Sequence, residues 1–400
     1  MLNTGKTSFP VHPLTLLTAC LLAMAPALTG CNKKADAPAS NEILIGHYGS
    51  LTGATATFGQ SAQMGIEMAV DAINASGGVL GKQLKLLVED DQGKPEEAQT
   101  VATKLINKDR VVALLGEIAS SNSLAAAPVA QSNRIPMISP GSTNPKVTQV
   151  GDYIFRVCFI DPFQGLVMAK FATNTLKLKN VAVLRDIKSD YSVGLANFFV
   201  ENFAKLGGTV VTDISYSAGD KDFTAQLTAI KAKHPDGIFI PGYYTEVGLI
   251  ALQARKLGIT VTLMGGDGWD SSDLWKIGGA ALNGCYYSNH YSVDDPNPIL
   301  RKFVADFKER HKNTADTIPD AMAALGYDAA LILADAMKRA NSTQPDSVRM
   351  ALAQTKGFMG VTGSISLDEH RDAIKPAVVL EVKVDDKGNG RNVFKETVSP

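Results

Sequence analysis

VVALLGEIASSNSLAAAPVAQSNRIPMISPGSTNP, residues 111–145, decides how this chain is read. Val111–Gly116 is an unbroken apolar run, too short for a free helix and typical of a parallel strand covered on both faces. Ser120, Ser121 and Asn122 follow, just before an Ala-rich helical stretch, where such residues cap unpaired backbone N–H groups. A second run, Ile135–Ser139, ends in Pro140-Gly141-Ser142-Thr143-Asn144-Pro145, another turn rich in hydroxyls. Open α/β sheets bind ligands beyond the carboxyl ends of their strands. Two such ends side by side, offering hydroxyls and a helix N-terminus, suit a carboxylate. Taken singly, each of these residues also serves as an ordinary cap or turn. Pro128 predicts a kink or a late start in the intervening helix, because an interior proline costs ~3 kcal/mol.

Outward from that stretch, strand and helix patterns alternate. Ile43–Tyr48 reads as a strand, and Ala62, Ile66, Ala69, Val70 and Ile73 form one apolar stripe of a helix that Gly77-Gly78 ends. Lys82–Val88 is the next strand and Pro95–Asn107 the next helix. After the extended run Tyr153–Phe159 the alternation starts afresh. Strands are expected at 180–184, 209–214, 237–240 and 260–264, with helices near 193–206, from Asp222, and near 246–257. Two successive βα series of similar length read as two doubly wound lobes. Beyond Ser288 the chain is mostly helical, and strand-like Ala377–Val384 with the turn at 386–390 finishes it.

A length of 400 residues suggests two domains. The 45% hydrophobic content allows sizeable cores, and the formal net charge of -1, without a basic stripe, speaks against nucleic acid as a partner. Lys6 precedes the apolar run Leu14–Leu28, which is too short to span a bilayer comfortably. Leu28-Thr29-Gly30-Cys31 then resembles the lipobox of bacterial lipoproteins. Residues 1–30 are therefore read as a signal peptide, Cys31 as the lipidated residue, and 31–41 as a polar tether. That leaves Cys158 and Cys285, as two buried thiols or as a pair. His47, His234, His290, His311 and His370 form no i, i+4 pair or His–Cys cluster, and Asp90-Asp91 reads as turn structure, so no metal is expected. No dinucleotide fingerprint, Walker loop or nucleophile elbow is present. An enzyme is not expected, nor a cofactor.

GSLTGATATFG (49–59), AINASGG (72–78), Glu89-Asp90-Asp91, the ASSNS and ISPGSTNP turns, GDKDFTAQL (219–227), IPGYYTEVG (240–248) and MGGDG (264–268) stand in an order with a specific likeness. Together they resemble the periplasmic leucine/isoleucine/valine-binding proteins, the substrate-binding components of branched-chain amino acid ABC importers. The resemblance runs from about Glu42 onward. It implies an α/β type I periplasmic-binding fold: two doubly wound lobes joined by a three-segment hinge, with ligand in the cleft. Crossings near Asp161, near Ser288–Tyr291 and near Leu367 would assign 42–161 and 291–366 to one lobe, 162–290 and 367–400 to the other.

The same resemblance implies the site. A carboxylate-binding serine falls on Ser120, a threonine on Thr143, and a carbonyl near the ligand ammonium on Gly141. Phe58 stands where branched-chain binders carry Tyr. Tyr191 and Tyr243 match tyrosines of the second lobe. The acid that meets the ammonium falls on Asp267, one methylene shorter than the usual Glu. Met322 matches an aromatic position loosely, and Trp269 is a further wall. Asp267 also reads as a plain turn residue between glycines, and Tyr243 as a core aromatic. The implied partners are an amino acid and ABC permease subunits, with the protein a monomer tied to the membrane by its lipid. A receptor of the same fold for a carboxylate, amide or aromatic acid is the second reading.

Overall fold

The computed structural model describes residues 41–314 and 317–400, so the signal, lipidation and tether expectations lie outside the described residues, Asn41 apart. The first part of the chain runs β1 (Glu42–Gly49), α1 (Ala56–Ala75), β2 (Gln83–Asp90), α2 (Pro95–Asn107), β3 (Leu114–Leu115), α3 (Ser120–Ser132), β4 (Met137–Ser139), α4 (Lys146–Gln149) and β5 (Ile154–Arg156). These strands form one parallel sheet in the order β2-β1-β3-β4-β5. The order reverses at β1, so the carboxyl ends of β1 and β3 flank a crevice.

A second series follows: α5 (Asp161–Lys170), β6 (Asn180–Asp186), α6 (Asp190–Lys205), β7 (Thr209–Tyr216), α7 (Thr224–Lys231), β8 (Gly237–Phe239), α8 (Tyr244–Lys256), β9 (Thr262–Gly265), α9 (Ser272–Gly278) and β10 (Cys285–Asn289). Helices α10 (Pro298–Arg310), α11 (Ala321–Ala340) and α12 (Pro345–Ala353) precede a small sheet of β11 (Phe358–Gly360), β12 (Gly363–Leu367) and β13 (Ala373–Ile374). The chain closes with β14 (Ala377–Val384) and β15 (Gly390–Val398), and the second large sheet has the order β15-β14-β10-β9-β8-β6-β7. Here the order reverses at β6, which brings the ends of β6 and β8 together. Helix α11 returns to the first sheet by lying on α1. Gly65 and Gly326 let the two backbones touch, since a Cβ at Gly65 would collide with the Ala323 carbonyl and one at Gly326 with that of Ala62.

Local chemistry explains most of this. The apolar stripe of α1 is buried as expected, and Gly77, at φ +95°, ends that helix as only glycine does cheaply. Cys158 and Cys285 are both buried free thiols. Three expectations change. The ladder at 111–116 narrows to Leu114–Leu115, although Val112 N–H still reaches the Leu44 carbonyl at 2.9 Å. Helix α3 starts at Ser120 and continues past Pro128, so the late start does not occur. Pro128 lies on the exposed face, where water can meet the carbonyl it leaves unpaired. The turn at 386–390 does not finish the chain, because β15 pairs antiparallel with β14 beyond it. Its polar, half-exposed pattern, against the mostly buried β14, hid it as an edge strand.

Candidate ligand-binding site

The opening stretch places its hydroxyls as the sheet order requires. Ser120 begins α3 and Thr143 lies in the turn after β4, both buried. Ser120 does not cap its own helix: its Oγ accepts the Asn144 N–H at 3.2 Å, tying the two turns together. Thr143 Oγ1 is buried without a hydrogen-bond partner. Gly141 sits beneath them, where a Cβ would lie 3.4 Å from Met322 Sδ, so α11 brings Met322 to this turn.

Two buried charges that sequence reasoning missed hold the rim. Glu117 accepts the N–H groups of Ser50 at 3.0 Å and Ala119 at 2.6 Å, the Asn122 amide at 3.1 Å, and the Ser50 hydroxyl. Its own carbonyl accepts Ser139 Oγ–H at 2.7 Å. Arg156, fully buried at the end of β5, donates to the carbonyls of Ser142 and Asn144 and meets Asp372 at 2.6 Å. A guanidinium fork gripping carbonyls on both sides of Thr143 fixes that residue's backbone.

The second sheet contributes from its own strand ends. Tyr191 and Tyr243 stack at 5.2 Å, and Phe58 meets Tyr243 edge-on at 5.6 Å and Tyr244 at 5.0 Å. Thus the structure brings Phe58, Tyr191 and Tyr243 into one aromatic group drawn from both halves of the chain. Tyr191 Oη accepts the Gly268 N–H at 3.1 Å. Burial raises both phenols well above their ordinary range, Asp267's charge adding to it at each, so they stay neutral.

Asp267 is buried and is already occupied. Its Oδ1 accepts Gln164 Nε2–H at 2.8 Å and its Oδ2 meets His290 Nε2 at 2.9 Å. His290 stacks on Phe159 at 3.8 Å, and burial lowers its pKa against the pull of Asp267. An acid standing alone between glycines is therefore not what Asp267 is. Neither Gln164 nor His290 carried a signal in the sequence, since their partners lie 103 and 23 residues away. Trp269 faces the core: its Nε1–H donates to the Ile240 carbonyl at 3.0 Å, and its ring fills the space at Gly265 beside Tyr287. It supports the Asp267 turn from behind.

Contacts between the halves are direct. Ser121 Oγ–H donates to Asp190 at 2.8 Å, Asn144 Nδ2 to the Asp190 carbonyl at 2.7 Å, and Thr57 N–H to Tyr244 Oη at 3.2 Å. The Ala321 N–H at the start of α11 reaches Asp270 at 2.7 Å. A separate groove of about 540 Å³ shares Thr57 and Asp270 with this interface, but Ser120, Thr143 and Asp267 do not line it.

With this geometry in hand, the relatives can be placed. The sequence profile of the periplasmic binding protein family matches residues 42–389. The chain belongs to that family. It is 31% identical over 339 residues to Leu/Ile/Val-binding protein homolog 3 of Brucella melitensis, covering 84% of this chain and 90% of that protein. Among solved structures it is similar to the leucine-binding protein LivK of Thermotoga maritima, with a TM-score of 0.84, 41% identity, and 90% and 99% of the two chains covered. It is also similar to the branched-chain amino acid substrate-binding protein LivJ of Streptococcus pneumoniae in complex with isoleucine, with a TM-score of 0.81, 32% identity, and 88% and 100% covered. The fold is thus the type I periplasmic-binding fold with two α/β lobes, and this periplasmic binding protein is a solute-binding protein rather than an enzyme. Family membership gives an extracytoplasmic location.

Proposed function

We propose that this periplasmic binding protein captures an amino acid, of the branched-chain type or a close relative, between its lobes and delivers it to an ABC import permease. The observation that carries this is the pair of rims: buried hydroxyls of Ser120 and Thr143 on one side, and the Tyr191–Tyr243–Asp267 group on the other. The first rim suits a carboxylate at a helix start, the second an amine, and the Phe58, Tyr243 and Met322 walls an apolar side chain. The relatives' names point the same way. Residues 42–161 with 291–366 and residues 162–290 with 367–400 are proposed as the lobes, with Arg371 and Asp372 reaching back to the first sheet near the third crossing.

Ligand binding then needs only a higher affinity for the closed form. Groups of both rims meet one ligand only when the lobes are together. Small-angle scattering should therefore give a smaller radius of gyration at saturating amino acid than without it. An unchanged radius would mean that the cleft is rigid or already shut.

Lipid anchoring is proposed on Leu28–Cys31 alone. Cys31→Ala should release the protein from membranes or leave it uncleaved. Fractionation and mass that do not change in the variant would remove the anchor from this account.

A further inference from the structure

We propose that the groove of about 540 Å³ beside residues 289–294 is a second ligand site, suited to a small neutral aromatic with one hydrogen-bond donor, of the indole class. It stands apart from the amino acid cleft, since none of Phe58, Ser120, Thr143, Tyr191, Tyr243 and Asp267 lines it. Small-molecule sites usually measure roughly 300–1,000 Å³ and favour junctions between domains. This groove meets both conditions. Its walls come from the first turns of α1 and the end of α10, from α9 and the β14–β15 hairpin, and from the chain that follows β10.

The body of the groove is apolar. Met64, Trp275, Val293, Phe307 and Leu380 supply its aliphatic and aromatic faces. Trp275 is only half-buried. Its ring presses on the hairpin at Gly390, where a Cβ would stand 2.1 Å from Trp275 Cγ. An indole ring backed by the hairpin and open on its other side is a surface on which a second aromatic ring packs.

The polar side chains of the lining are largely committed to the protein. Asp270 accepts the Tyr287 hydroxyl at 2.8 Å, Asn289 Nδ2–H at 2.9 Å and the Ala321 N–H at 2.7 Å. Asn289 Oδ1 accepts the His290 N–H at 2.8 Å, Ser61 Oγ–H donates to Asp320 at 2.6 Å, and the Tyr291 hydroxyl donates to the Pro319 carbonyl. Asn392 differs. Its Nδ2 faces the Asp270 carboxylate at 3.4 Å, and an ionised carboxylate only accepts, which fixes which way the amide points. Among the described residues of the lining, Asn392 Oδ1 is then the buried polar atom left without a partner. Such an oxygen is costly to bury, and a single N–H or O–H donor satisfies it. A charged head has no comparable place, because Asp270 is engaged and Asp294 and Arg391 are exposed to water. A flat apolar ring system with one donor fits these demands. Since the walls belong to both α/β series, an occupant touches parts that opening of the lobes would separate, and its binding is linked to the state of the cleft.

Isothermal titration calorimetry of the intact protein with indole and with 1-methylindole tests the site, because the two probes differ in the N–H donor. The parent should bind indole about tenfold more tightly than 1-methylindole, the size of one buried hydrogen bond. Asn392→Ala should bind the two probes alike, at the weaker affinity. Trp275→Leu should weaken both and keep the preference for indole. A parent that binds neither probe, or binds both equally, overturns the inference, even if Asn392→Ala fails to fold. So do Asn392→Ala and Trp275→Leu proteins that bind indole as the parent does, since the probe then sits elsewhere. Each of these outcomes is independent of which amino acid the main cleft takes.

Discussion

Alanine at Ser120 or at Thr143 is expected to weaken amino acid binding by about tenfold or more, and the larger loss is expected at Thr143. Each hydroxyl that bonds a charged ligand group contributes ~1.5–3 kcal/mol, which is tenfold or more in affinity. The two positions differ in what else they do. Thr143 Oγ1 has no protein partner, so its removal subtracts a ligand contact and leaves the turn held by Arg156. Ser120 Oγ also accepts the Asn144 N–H, so its removal frees a backbone donor and loosens the link between the two turns. Ser120→Ala should therefore also lower the melting temperature slightly, whereas Thr143→Ala should not. Calorimetric titration and thermal unfolding of both variants check this. Parent-like affinity in both would place the ligand carboxylate elsewhere.

What the sequence made legible follows from which interactions are local. The strand and helix runs, the glycine end of α1 and the strand-end hydroxyls are set by neighbours within a few residues, and they stand close to where the patterns put them. Ser120 and Thr143 could be chosen because strand ends in such sheets bear the site, whatever the remote contacts are. Asp267 could be placed but not understood. Its partners come from α5 and from beyond β10, and only the closed topology brings them to it. The same holds for Asp161, whose position just after a strand was visible and was taken as a crossing, while its burial was not visible. Glu117 was overlooked although it sits in the decisive stretch, directly after its strand, where a charge among apolar and hydroxyl residues was the available signal. For Trp269 the hydrogen bond to the Ile240 carbonyl was not legible, because an aromatic beside a ligand turn and one packed behind it read alike in sequence.

Glu117→Ala is expected to destabilise the fold by about 3–5 kcal/mol, the usual consequence of removing one member of a buried charged network. The variant leaves the Ser50 and Ala119 N–H groups, the Ser50 hydroxyl and the Asn122 amide without their acceptor. It also deprives Asp91 of its neighbour. Asp91 is fully buried, accepts the Gly93 N–H at 2.9 Å, and has its pKa raised, by burial first and by the charge of Glu117 second. The folded protein thus keeps a proton at Asp91 at pH values where the unfolded chain has lost it. With more protons bound in the native state than in the unfolded one, stability falls as pH rises. The contribution is whole below the ordinary carboxylate range and is lost on the way up to the raised pKa. Asp91→Asn keeps an acceptor for Gly93 and gives Glu117 a permanent donor, so it removes this titration. Urea unfolding from about pH 5 to about pH 9 should show the parent losing stability with rising pH while Asp91→Asn changes less. Near the alkaline end the variant should be the more stable protein. Parallel pH profiles would mean that Asp91 carries no extra proton. A Glu117→Ala protein with the parent's urea midpoint would mean that the rim under Ser120 is held by something other than this carboxylate.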